Sequence, residues 1–170
     1  IFGIIANRRA RLTPGYLKSL TDKLAILSES RGMEASGLAI DYGLKIQVHK
    51  QAVSASALIG SPEYCGIFEN LAGDKRGLDD PLEDVIAVMG HSRLVTNGTQ
   101  ERNENNHPII TEGIVGVHNG IITNEASLLQ RFSFLARESE VDTEILLKLI
   151  RHSLNETNCL FEGLAPCPDL

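Results

Sequence analysis

Apolar residues in this chain gather into short runs, rich in β-branched side chains, that stop abruptly at polar groups. Residues 113–124 read GIVGVHNGIITN: the run Ile114 to Val117 halts at His118-Asn119-Gly120 before Ile121-Ile122 resumes. Residues 84–93, DVIAVMGHSR, end in the same way. Runs of this length fit strands rather than long buried helices. IFGIIAN (1–7) is a further short strand, and Ile114 to His118 is expected to be another. SGLAIDYGLKIQVHK (36–50) reads as two strands around a tight turn near Asp41-Tyr42-Gly43.

Helical signals lie between these runs. Thr13 offers an N-cap, Pro14 suits the first helical position and Gly32 supplies a stop. Leu17, Leu20, Leu24 and Leu27 share one face, which predicts an amphipathic helix over 14–31. Ser61-Pro62-Glu63 starts a short helix within 51–73, Asp79-Asp80-Pro81 marks a loop, and 94–108 is polar and loop-like. Helices are expected over 124–137, with Leu128, Phe132 and Leu135 inward, and over 143–154, with Ile145 and Leu149 inward. No internal repeat is visible. Strands in neighbouring pairs and helices in runs favour an α+β protein with antiparallel sheets over an alternating doubly wound one.

The 170 residues suit one domain. A formal charge of -6 argues against a nucleic-acid partner, since phosphate binding needs a basic face. The densest basic cluster, Arg8-Arg9-Ala10-Arg11, reads as a solvated loop. No apolar run approaches the ~20 residues of a membrane span, and no signal-peptide layout is visible. Cys65, Cys159 and Cys167 are odd in number and lack C-x-x-C spacing, which reads as reduced thiols in a cytoplasmic protein. The chain opens on Ile1 inside a strand-like run and closes on APCPDL, so the domain, spanning 1–170, is expected to be incomplete at both ends.

Chemistry collects in polar clusters: His91-Ser92-Arg93 with Thr96-Asn97-Gly98, His107-Pro108, His118-Asn119-Gly120, and Asp142 at the start of a helix. None of His49, His91, His107, His118 and His152 forms a tight zinc-type pair, so no metal is expected. A nucleophile elbow, a P-loop and a dinucleotide fingerprint are all missing. Asn119-Gly120 after a strand can point an amide and a backbone N–H at one spot, the ground plan of an oxyanion hole. It can equally be a plain turn. Arg93 offers a bidentate fork for a carboxylate. Asp142 is either a helix cap or a carboxylate for an amine. Together these groups would suit an amino acid with a reactive side chain.

The ordered strings IFGIIA (1–6), RGMEASGLAI (31–40), GHSRLVTNG (90–98), NNHP (105–108), VHNGIITN (117–124) and DTE (142–144) resemble the glutaminase domain of class II glutamine amidotransferases, which are N-terminal-nucleophile hydrolases. The resemblance runs from residue 1 to about 154. Within the family, VHNGII and the RG…SGLA segment are most similar to the glucosamine-6-phosphate synthase group. Asparagine synthetase and amidophosphoribosyltransferase differ more at these strings, and a non-catalytic glutamine-binding module is the other alternative.

The resemblance implies a four-layer αββα sandwich of two antiparallel sheets with helices outside. It implies that Arg93 and the Thr96 hydroxyl bind the glutamine α-carboxylate, while Asp142 and the Gly120 carbonyl hold the α-ammonium. The Asn119 side chain and Gly120 N–H would form the oxyanion hole and His107 would line the pocket, with no direct role for His118. No cofactor is implied. The partners would be glutamine and an ammonia-accepting synthase domain downstream, fructose-6-phosphate being the expected acceptor, with a homodimer formed through that domain.

Two departures stand out. Leu94 occupies the place of a family aromatic, and the family's opening Cys-Gly is expected just before Ile1 but is not in the sequence. In the family that cysteine attacks the glutamine amide with its own α-amine as base.

Overall fold

A computed structural model describes residues 1–43, 45–73, 78–82, 86–95 and 98–162, with only the main chain for Arg8 and for 157–162. Strand β1 (Phe2–Ala6) is followed by helix α1 (Pro14–Ser28), strands β2 (Ala35–Asp41) and β3 (Ile46–Gln51), and helices α2 (Ala55–Leu58) and α3 (Pro62–Ala72). Strand β4 (Ile86–Arg93) then leads to β5 (Ile109–Thr111), β6 (Ile114–Gly116), α4 (Glu125–Arg131) and α5 (Thr143–Glu162). The protein is α+β, and the described residues form two antiparallel sheets: one in the order β1-β4-β2-β3, and the pair β5-β6. Helices α1 to α3 pack on the larger sheet and α5 on the smaller one.

Capping follows the sequence signals. Thr13 Oγ1 accepts the Tyr16 N–H at 3.1 Å and Ser61 Oγ accepts the Tyr64 N–H at 3.2 Å, each satisfying a donor that the first helical turn leaves unpaired. Strand alternation sends Leu38, Ile40, Ile86 and Val88 toward the helices, where they meet Leu17, Leu58, Tyr64, Ile67 and Phe68. Full burial of each such side chain contributes about 1.5–3 kcal/mol. The Tyr64 hydroxyl, at the edge of this core, donates to Asp22 Oδ1 at 2.7 Å.

Several expected details change. Helix α1 ends at Ser28, with a 3-10 turn over Glu29–Arg31. Its buried stripe is Pro14, Leu17, Thr21, Ala25 and Ser28, while Leu27 is 71% exposed. Small side chains let the helix approach β4 closely enough for Ser28 Oγ and Ser92 Oγ to share a hydrogen bond at 2.6 Å. Helix α4 stops at Arg131 because Phe132 and Phe134 turn toward His152 of α5, at ring separations of 6.0 and 5.1 Å. Helix α5 continues to Glu162, beyond the expected 154. Strand β6 closes at Gly116 rather than His118, since its pairing with β5 covers only Ile109–Thr111.

Two glycines of the 31–40 segment mark close approaches. A Cβ on Gly32 would stand 2.3 Å from the Arg93 carbonyl, and one on Gly37 would stand 2.2 Å from the His107 carbonyl oxygen. The first seats the segment against the end of β4. The second lets the loop after residue 98 lie on the sheet face that the helices leave free. No helix among the described residues is long and apolar enough to cross a membrane. Cys65 is a free, half-buried thiol; Cys167 and the Cys159 side chain lie outside the described residues.

Candidate active site

Period-two alternation along β4 turns His91 and Arg93 to the face opposite the helices and Ser92 toward α1. Directly across on β2 stand Gly37 and Ala35, whose small size leaves room for the imidazole and the guanidinium. Arg93 is 4% exposed; its Nη1 donates to Asn106 Oδ1 at 3.1 Å and its Nη2 to the Gly98 carbonyl at 3.0 Å. The fork is therefore oriented by the loop that follows β4.

That loop is held by two buried amides. Asn105 Nδ2 donates to the Thr99 carbonyl at 2.9 Å and to Glu140 Oε2 at 2.7 Å, and its Oδ1 accepts the Glu140 N–H at 2.8 Å. Asn106 Nδ2 donates to the Gln100 carbonyl at 2.8 Å. His107 Nε2 lies 2.9 Å from Thr143 Oγ1, and its ring meets His91 at a tilt of 38° with centroids 4.6 Å apart.

Asp142 is buried immediately before α5. Its Oδ2 accepts the Ile122 N–H at 2.6 Å, and His118 Nδ1 lies 3.7 Å from its Oδ1. Its carboxylate therefore fixes the loop carrying Asn119 and Gly120. That loop, outside β6, is solvent-facing at both residues.

These side chains surround one cavity of about 280 Å³, lined by Arg93, His107, Asn119, Gly120 and Asp142 together with Ile1, Arg31, His91, Leu94, His118 and Thr143, among others. The volume is just below the roughly 300 Å³ at which small-molecule pockets begin, a size for a single small metabolite. A guanidinium and a carboxylate share its wall, and Asn119-Gly120 stands at its mouth. Of the site residues expected from sequence, Thr96 lies outside the described residues and all the others meet here. The sequence reading assigned nothing to Arg31, His91 or Thr143, or to the paired amides of Asn105 and Asn106. Only the quoted string NNHP hinted at the amides. Among the described residues no group of three or more His, Cys, Asp or Glu is arranged to hold a metal ion.

Burial pushes the His91 imidazole down to about 4, with Arg93 and His118 adding repulsion. Burial likewise pushes His107 down to about 3, helped by His91 and Arg93. Burial lowers Arg93 as well, against the opposing field of Glu34. Both imidazoles are thus neutral in the fold at neutral pH, while an unfolded histidine titrates near 6.5. Below that value the unfolded chain binds more protons, so the stability these rings contribute is complete above about pH 6.5 and drains away toward pH 4 and 3. Urea midpoints should fall between pH 7 and pH 5, a window above the ordinary carboxylate range, and the slope should shrink in His107→Gln. A flat wild-type midpoint across that window would contradict the assignment.

No protein-family profile matches the chain. Curated relatives do. The chain is 38% identical over 97 residues (55% of this chain, 16% of the relative) to the glutamine–fructose-6-phosphate aminotransferase (isomerizing) of Brucella suis. To the protein of that name from Bradyrhizobium diazoefficiens it is 32% identical over 143 residues, 83% of this chain and 21% of the relative. With the Helicobacter pylori protein it shares 28% identity over 159 residues, 88% of this chain and 24% of the relative. The chain therefore spans between about a sixth and a quarter of the length of these relatives. By sequence it is related to part of the glutamine–fructose-6-phosphate aminotransferases.

Proposed function

We propose that this chain is the glutaminase domain of a class II glutamine amidotransferase, which hydrolyses glutamine to glutamate and passes the ammonia to an acceptor domain of the same protein. What supports this reading is one observation: a buried guanidinium, a buried carboxylate and an Asn-Gly pair face one amino-acid-sized cavity. Arg93, with Thr96, binds the α-carboxylate; Asp142 and the Gly120 carbonyl hold the α-ammonium. The Asn119 amide and Gly120 N–H stabilise the oxyanion, and His107 lines the pocket.

The attacking thiol belongs to a cysteine two residues ahead of Ile1. Ile1 lines the cavity, and two residues span at most about 7 Å, so such a thiol stays within reach of it. Its sulfur forms a bond to the amide carbon, the amide nitrogen takes a proton and leaves as ammonia, and water then cleaves the thioester to release glutamate. The α-amine, with an ordinary pKa of ~7.7–8.0, serves as base.

The names of the relatives favour fructose-6-phosphate as acceptor over the asparagine synthetase or amidophosphoribosyltransferase types. Dimerisation falls to the acceptor domain, and the compartment is the cytoplasm. The test is a chain carrying Cys-Gly ahead of Ile1, assayed for glutamate release from L-glutamine. Turnover is expected, falling about 10²–10³-fold in Asn119→Ala. Binding of glutamine without turnover would leave the non-catalytic module as the better description.

A further inference from the structure

Three consecutive residues, Asn105, Asn106 and His107, each grip a different part of the machinery that faces the cavity. Asn106 Oδ1 accepts a hydrogen bond from Arg93 Nη1 at 3.1 Å. Asn105 bonds twice to Glu140, accepting its N–H at 2.8 Å and donating to its Oε2 at 2.7 Å, two residues ahead of Asp142. His107 meets Thr143 Oγ1 at 2.9 Å, immediately after Asp142. One short segment thus holds the guanidinium directly and the carboxylate from both sides.

Both amides are fixed in orientation by chemistry. Turning Asn105 over would set its oxygen against the Thr99 carbonyl and the Glu140 carboxylate, and would set its NH₂ against the Glu140 N–H. Turning Asn106 over would set its oxygen against the Gln100 carbonyl and its NH₂ against the Arg93 donor. Neither asparagine has any exposed surface. The segment is also backed from behind. Lys50 Nζ donates to the Asn106 carbonyl at 2.7 Å, and the His107 carbonyl presses onto Gly37. Arg93 ends a strand of the larger sheet, whereas Asp142 immediately precedes the helix that packs on the smaller one. Their separation therefore depends on what spans the two.

We infer that Asn105-Asn106-His107 is a brace that sets the distance between the Arg93 guanidinium and the Asp142 carboxylate, and so selects ligands bearing a carboxylate and an ammonium on one carbon. The inference rests on the glutamine reading above. Asn106 is the positioning residue for the carboxylate end. Asn105 and His107 are the positioning residues for the ammonium end.

The test measures binding of three ligands to the full chain by calorimetry: L-glutamine, glutaramate (no α-amine) and 4-aminobutanamide (no carboxylate). Asn106→Ala should weaken glutamine and glutaramate about tenfold, the worth of one hydrogen bond to a charged group, and leave 4-aminobutanamide unchanged. Asn105→Ala should weaken glutamine and 4-aminobutanamide about tenfold and spare glutaramate. The spared ligand in each case reports that the variant is folded.

Should an alanine variant not fold, Asn106→Ser and Thr143→Val replace it as milder changes. The shorter side chain gives up the hydrogen bond to Arg93 without adding a charge, and the lost hydroxyl frees His107, so the same two selective patterns are expected. Equal losses across all three ligands, or none, overturn the brace while the glutamine reading stands. If the unmodified chain prefers glutamine to neither analogue, the glutamine reading fails and the brace falls with it.

Discussion

Replacing Arg93 with alanine should weaken glutamine binding by about two orders of magnitude, because a bidentate, charge-assisted pair with a carboxylate supplies at least ~3 kcal/mol. The guanidinium is nearly sealed from solvent, so the pair forms where water competes little. The same change strands Asn106 Oδ1 and the Gly98 carbonyl without this donor, which should cost about 1–3 kcal/mol of stability. Arg93→Lys separates the two effects. A lysine keeps the charge but cannot reproduce the fork, so binding should recover only partly. Titration calorimetry at fixed ionic strength reads both variants, and an unaltered affinity in Arg93→Ala would remove the carboxylate role.

Glu144→Ala should destabilise the fold by about 3–5 kcal/mol, the usual cost of stripping one partner from a buried ion pair. Glu144 is 2% exposed and Lys148, one helical turn on, is 4% exposed; their charged groups meet at 2.8 Å. The carboxylate also accepts the Glu138 N–H at 3.0 Å, the Ser139 N–H at 2.6 Å and the Ser139 hydroxyl at 2.7 Å, while Lys148 reaches back to the Ala136 carbonyl. Burial alone would raise the Glu144 carboxyl, but Lys148 and the Ser139 and Glu138 donors outweigh it and leave it lowered. Its contribution is therefore present above the unfolded value near 4.3 and is lost as pH falls through the lower folded one. Urea denaturation at pH 7 measures the substitution, and a loss under about 1 kcal/mol would contradict a buried Lys148 left without its partner.

How much of this was readable in advance depends on how local each signal is. Thr13-Pro14 and Ser61-Pro62 act within one turn of chain, so their helix starts were legible. The apolar run over 84–93 that ends in polar residues was likewise legible as a strand, observed as Ile86–Arg93. The inward face of α1 was not legible. Four leucines at helical spacing outweigh Ala25 and Ser28 in any pattern, yet only small residues allow the approach that joins Ser28 to Ser92. The early end of α4 has a similar origin, since the aromatic contacts to His152 lie outside any local window. At the site, the convergence of Arg93, Asn119 and Asp142 followed from ordered motifs. The work of Asn105, Asn106 and Glu144 did not, because an amide or carboxylate shows its purpose only through partners distant in sequence.

The two charges that face the cavity come from different layers of the molecule, one from the end of β4 and the other from the head of α5. A zwitterion seated between them would act as a clasp, and by mass action it would favour the folded chain by about 2.7 kcal/mol at a hundredfold excess over its dissociation constant. Ligand supply and resistance to unfolding would then be thermodynamically linked, so that a protease acting on the unfolded form would cut the ligand-free chain more readily.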